Sequence, residues 1–197
     1  MARTKNYFII YKPFKILSQF TDEDGNEGLG SIYKLPKDVY PVGRLDLDSE
    51  GLLILTNDKK LNGALLNPKN EHKRTYWVEV DGKPEDSALE ELRNGVEINV
   101  KGKYQTLPCE VRIIESPDVT ERNPPVNYQK HPIRTWLEIK LIEGKNRQVR
   151  KMTAKVGHPT LRLIRVAIEG LHLTPLKSGE ITQISGKALY KKLQMNA

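Results

Sequence analysis

Three carboxylates stand at alternate positions in one short stretch: Asp46, Asp48 and Glu50, inside Val-Gly-Arg-Leu-Asp-Leu-Asp-Ser-Glu-Gly-Leu-Leu-Ile-Leu-Thr-Asn-Asp at residues 42–58. Side chains of this type can hold a metal, pair with a cation, or act as nucleophile or base. They guard the entrance to the apolar run 52–55, which is bounded by Gly51 and by Asn57-Asp58 and reads as a strand buried on both faces. Carboxylates pressed this close to a core need one of those three roles, because an uncompensated buried charge is strongly destabilising. Gly43 and Gly51 give the backbone the freedom that a strained loop needs.

The metal role can be tested against the spacing of a calcium loop. Asp46, Asp48, Glu50 and Gly51 would take positions one, three, five and six, but position five then carries Glu50 and position twelve Asn57, which cannot supply the closing bidentate carboxylate. The segment that should be a flanking helix is Leu-Leu-Ile-Leu. No metal site is expected here or at the four scattered histidines, His72, His131, His158 and His172.

A second chemical stretch is basic: Glu143-Gly144-Lys145-Asn146-Arg147-Gln148-Val149-Arg150-Lys151-Met152. Asn146 can cap a helix that ends at Gly157, with Pro159 beyond it. At about 100° per residue, Val149, Met152 and Val156 share one face, and Arg147, Arg150, Lys151 and Lys155 spread over the other. Such a helix is either a solvated amphipathic surface or a platform for anions.

The elements that must position these groups follow from pattern. Strands are expected at 8–11, 75–80, 96–99, 110–115, 136–142, 161–165, 171–176 and 180–184, before a short tail at 187–193. In 75–80, Tyr76, Val78 and Val80 share a face opposite Thr75, Trp77 and Glu79, which makes Tyr76 an ordinary core tyrosine on pattern alone. Helices are expected at 59–66 and at 87–94, where Ser87 and Glu90 form a capping box, Leu89 and Leu92 an apolar stripe, and Gly95 a left-handed stop. A short helix is expected over 29–35. Residues 116–134, with Pro117, Pro124, Pro125 and Pro132 among Arg122, Lys130 and Arg134, read as a long loop, either functional or a solvated linker. Short alternating strands with few helices make the class α+β.

The 197 residues suffice for one large domain or two small lobes. A net charge of +7 suits a polyanionic partner. The single cysteine, Cys109, excludes an internal disulfide, fits a reducing compartment and reads as a packing residue. Residues 1–6 lead straight into a strand with no apolar leader, and nowhere do eighteen apolar residues run together, so a cytoplasmic protein is expected. There is no internal repeat, phosphate-binding Walker loop or dinucleotide fingerprint.

Gly43-Arg44-Leu45-Asp46, followed by Ser49-Glu50-Gly51-Leu52-Leu53 and Leu55-Thr56-Asn57, resembles the signature loop of the pseudouridine synthases, in the family named for the small-subunit ribosomal synthase A. Arg74-Thr75-Tyr76-Trp77-Val78 is similar to that family's second motif, and Glu143-Gly144-Lys145 with Gln148-Val149-Arg150 to its third. The resemblance covers nearly the whole chain. It implies a largely antiparallel mixed sheet in two lobes with flanking helices and an RNA cleft between them, as one catalytic domain over 1–197 without the preceding S4 domain of most members. It implies Asp46 as the catalytic residue, with Arg44 beside it in the motif, Tyr76 stacking on the target uracil and Arg150 pairing with the catalytic aspartate. Asp48 and Glu50 are then left as solvated or locally capping carboxylates.

The implied reaction isomerises uridine in RNA without cofactor or metal. Lys145, Arg147, Lys151 and Arg162 would hold phosphates, and the loop 116–134 could touch them too. Asn146-Arg147-Gln148, Asp48-Ser49-Glu50 and Arg122-Asn123-Pro124-Pro125 narrow the resemblance to a branch acting on 23S ribosomal RNA, at a stem-loop near the peptidyl-transferase centre, free or in a precursor particle. A monomer is expected. Two other classes compete: a catalytically silent rRNA-binding or assembly factor on the same fold, and a divalent-ion site for RNA hydrolysis, which the missing fourth ligand disfavours.

Overall fold

The computed structural model describes residues 4–196; residues 1–3 of the amino-terminal stretch, and residue 197, lie outside the described residues. Along the chain, β1 (Tyr7–Lys12), β2 (Tyr40–Pro41) and β3 (Glu50–Thr56) precede α1 (Lys59–Leu66). Next come β4 (Arg74–Asp81), α2 (Asp86–Asn94), β5 (Glu97–Asn99), β6 (Lys103–Gln105), β7 (Glu110–Ile114) and β8 (Arg134–Leu141). The last elements are α3 (Gln148–Lys155), β9 (Thr160–Ile168), β10 (Leu171–His172), β11 (Ile181–Gln183) and α4 (Gly186–Lys192). The class is α+β with largely antiparallel pairing. The chain divides into two compact units, Met1–His72 with Arg165–Ala197, and Lys73–Ile164.

In the first unit β1 lies between β11 and β3, antiparallel to both, in a register that sets Ile9 against Ile54 and Lys12 against Gly51. Every residue of β3 is buried, as a run without polar alternation requires. Leu53 and Leu55 join Ile10, Leu29, Val39 and Leu45 in one core cluster. Asp58 starts α1 by accepting the N–H groups of Lys60 and Leu61. The helix expected over 29–35 is a single 3-10 turn, Leu29–Ser31. The strand expected at 171–176 shrinks to β10, because the chain turns at Leu173, whose carbonyl accepts from Leu176 N–H, and Pro175 offers no ladder donor. The expected tail is a helix: Ser185 Oγ accepts from Ala188 N–H, and α4 buries Leu189 and Tyr190.

In the second unit β8 pairs antiparallel with β4 and β7, placing Tyr76 opposite Ile139 and Val111 on its other side. Tyr76, Val78 and Val80 pack with Leu89 and Leu92 of α2 and with Val149 and Met152 of α3. The capping box at Ser87 does not form. Glu85, extended at φ −80° and ψ 165°, takes the cap position without a side-chain bond, so the helix starts at Asp86 and Ser87 falls in its first turn. Gly95 does end it, at φ 87°.

Residues 115–133 carry no helix or strand, yet they are anchored. Arg162 donates to Thr120 O at 2.8 Å, Val126 is buried, and the Arg134 guanidinium lies 4.1 Å from the Tyr128 ring centroid. Arg134 also donates to Glu79 Oε1 at 3.1 Å. Glu79 is buried on the face expected to be polar; burial pushes its carboxyl up, against the opposing pull of Arg134, Arg162 and Arg122.

Candidate active site

The loop that carries Asp46 is gripped on both flanks. Upstream, Leu45 is buried in the core, and Ser18 Oγ donates to its carbonyl at 2.7 Å and accepts its N–H at 3.0 Å. Downstream, Ser49 N–H closes a turn on Asp46 O at 3.0 Å, while Lys15 N–H holds Leu47 O at 2.8 Å. Gly51 then brings the chain into β3 at φ 107°, where a Cβ would stand 2.3 Å from Arg165 O. Only glycine meets both conditions. Asp46 and Asp48 are half-buried within this frame, and Arg44 is exposed.

Glu50 departs from the expectation of a solvated or capping carboxylate: it is 1% exposed, at the first position of β3. Its cationic neighbour is Lys12, which sequence reasoning treated only as the end of a strand. Lys12 is 0% exposed and donates to Pro13 O at 2.9 Å and Ile16 O at 2.6 Å. Burial pulls its ammonium down to about 7, against the stabilising fields of Glu50, Asp48 and Asp46, with Arg165 adding to the fall. Arg165 is itself buried and donates from Nε to Leu52 O at 2.8 Å. The three carboxylates thus lie within the field of one buried lysine. The signal was a lysine closing an apolar strand; its meaning came from the register that puts it opposite Gly51.

The other expected site residues belong to the second unit. Tyr76 is buried on β4, two residues after Arg74. Arg150 is half-buried on α3 and points Nη1 at Thr160 O, 3.4 Å away. Lys145 and Arg147 are exposed, and half-buried Lys151 donates to Asn146 Oδ1 at 3.3 Å. Asn146 is not the helix cap. Arg147 occupies that position in a left-handed conformation and its side chain does not cap the helix, while the Gln148 side chain turns back to accept Lys145 N–H at 2.9 Å. Arg162, expected to hold a phosphate, is 3% exposed and donates from Nη2 to Thr120 O in the 116–134 loop.

One further group is accounted for without chemistry. Cys109 donates to Leu92 O, and burial, helped by Glu143 and Glu110, pushes its thiol up to about 11, as befits a packing residue. Among the described residues no group of three or more His, Cys, Asp or Glu is arranged to hold a metal ion.

The largely antiparallel α+β scaffold agrees with what the comparisons find. The profile of the RNA pseudouridylate synthases matches residues 6–155, and the chain belongs to that family. It is an isomerase that converts uridine in RNA to pseudouridine. The ribosomal large subunit pseudouridine synthase E of Vibrio parahaemolyticus is 48% identical over 92% of this chain and 75% of its own length. That of Xanthomonas axonopodis pv. citri is 45% identical over 85% of this chain and 88% of its own. The ribosomal large subunit pseudouridine synthase B of Bacillus subtilis is 32% identical over 91% and 68%. A crystal structure of a pseudouridylate synthase shares the fold, with a TM-score of 0.80 at 22% identity over 98% of this chain and 75% of that one. Among the described residues no helix is long and apolar enough to cross a membrane.

Proposed function

We propose that this enzyme isomerises one uridine of 23S ribosomal RNA, in a stem-loop near the peptidyl-transferase centre, with Asp46 as the reacting carboxylate. The C1′–N1 bond breaks, the uracil turns, C5 bonds to C1′ as the C5 hydrogen leaves to solvent, and the freed N1 takes up a proton. Asp46 acts either as nucleophile at C1′ or as the base that removes the 2′ proton. Tyr76 stacks on the flipped-out uracil, Arg150 supports the ionised carboxylate, and Lys145, Arg147 and Lys151 take phosphates. Arg162, committed to Thr120 O, serves the 116–134 loop instead of the phosphates. The enzyme works as a cytoplasmic monomer, on free rRNA or on a precursor particle.

The observation that carries this reading is the loop itself. Glu50 is taken into the core beside Lys12, whereas Asp46 is held half-buried between two fixed flanks. The similarity to the large-subunit synthases directs the choice of RNA. The test is tritium release from 23S rRNA carrying 5-tritiated uridine. Wild type releases the label, and Asp46→Asn, which can neither attack nor accept the proton, loses turnover by at least about a thousandfold with an unchanged melting temperature. Residual turnover near wild type sinks the assignment of Asp46. Label retained by the wild type on both free rRNA and precursor particles sinks the substrate.

A further inference from the structure

The turn at 143–148 is held by a network that catalysis as described does not use. Glu143 Oε2 accepts the Tyr104 hydroxyl at 2.6 Å, and Oε1 accepts Leu107 N–H at 2.8 Å and Gln148 Nε2 at 2.5 Å. Gln148 is buried; its Oε1 accepts Lys145 N–H, and its own N–H donates to Lys145 O at 3.1 Å. Both backbone groups of Lys145 are thereby fixed by one residue. Its ammonium lies 4.7 Å from the centroid of the Tyr104 ring. Glu143, the nearest carboxylate in sequence, is filled by uncharged donors, and the exposed Lys145 ammonium lies over an aromatic face.

We propose that Tyr104, Glu143 and Gln148 are positioning residues that preform the 143–148 turn to receive a backbone phosphate of the RNA, with Lys145 as the contact. The inference rests on the reading of the chain as an rRNA-modifying enzyme. A turn ordered before binding spares the complex the entropy of ordering it, so the loss on breaking the network falls on affinity. One phosphate contact contributes about 0.7 to 0.9 to the slope of log affinity against log salt.

The test uses the full chain with a 23S rRNA transcript, measuring the dissociation constant across a salt series, kcat and KM from tritium release, and thermal melting. Lys145→Ala should lower the salt slope by about one contact and raise KM several-fold. Tyr104→Ala should lower the slope equally, and the double variant should be no worse than either single one. Tyr104→Phe keeps the ring and loses the bond to Glu143, so it should raise KM about threefold, with the loss in KM rather than kcat and the slope retained. A wild-type salt slope in natively melting Tyr104→Ala, additive losses in the double variant, or a wild-type KM in Tyr104→Phe overturns the proposal. Binding that follows this pattern without tritium release supports the turn and refutes the enzymatic substrate. A wild type that binds no rRNA overturns both.

Discussion

Two buried charges in the first unit are treated in opposite ways. Asp58, 1% exposed, is surrounded by donors: Tyr7 hydroxyl at 2.7 Å, Tyr190 hydroxyl at 2.9 Å, Lys5 Nζ at 3.1 Å, and the Lys60 and Leu61 N–H groups of α1. Burial alone would raise its carboxyl, but the bonds from Tyr7, Lys5, Tyr190 and Leu61 outweigh it and hold the group at about 2. Lys12 has two carbonyl acceptors, and burial outweighs the fields of Glu50, Asp48 and Asp46, so that with Arg165 adding to the fall its ammonium drops to about 7. A fully satisfied ion joins distant segments and stabilises the fold. An ion whose burial outweighs the fields around it lowers stability, and this protein keeps one beside the carboxylates of the signature loop.

That contrast can be broken from either side. Asp58→Ala strips the shared acceptor from two tyrosines, Lys5 and a helix start, and should destabilise the protein by roughly 4 kcal/mol, read in denaturant melts, while folded molecules keep their kcat. Gly51→Ala should destabilise by roughly 3 kcal/mol, because the new Cβ meets Arg165 O in a backbone conformation unsuited to alanine, and turnover should fall with it. An unaltered melting curve would mean that the approach to Arg165 relaxes freely.

The pH dependence sharpens the comparison. Asp58 has a depressed carboxyl, so its contribution is present above the ordinary value of 3.8 and is lost as pH falls toward about 2, on the order of 2 kcal/mol in all. Asp58→Asn should lack that acid limb. Lys12 is depressed in the folded state, so between about 7 and 10.5 the unfolded chain binds the extra proton and stability rises with pH. Its share is on the order of 1 kcal/mol per pH unit between about 7.5 and 9.5, below the ordinary range of the tyrosines. Lys12→Gln should flatten that rise, and an identical slope in the variant would remove Lys12 from the account.

The elements best read from sequence were those whose local pattern and tertiary burial agree. The alternation through Tyr76, Val78 and Val80 became β4, the unbroken apolar run became β3, and the Asp58-led segment became α1 with the expected bounds. Errors fell where a long-range partner outweighed a local preference. Asn146 is a good cap by type, but Gln148, anchored on Glu143, does the organising there. The three-residue strand β6 is too short for a period to be visible, and it exists through its pairing with β5. Glu79 looked like the polar side of a strand; Arg134, bonded to it, lies fifty-five residues later.

By itself the sequence determined the local chemistry: three alternating carboxylates before a buried strand, a tyrosine on an apolar face, and a basic stretch on a hydrophobic footing. Periodicity and composition are local properties, and side-chain type states what a group can do. The tertiary structure alone decided which group does what. Pairing β1 with β3 set Lys12 opposite Gly51 and brought it within the field of the carboxylates. Folding residues 5, 7, 58 and 190 together made Asp58 structural rather than reactive. Charge compensation in a core depends on distance through space, and one residue of register changes which ion has a partner.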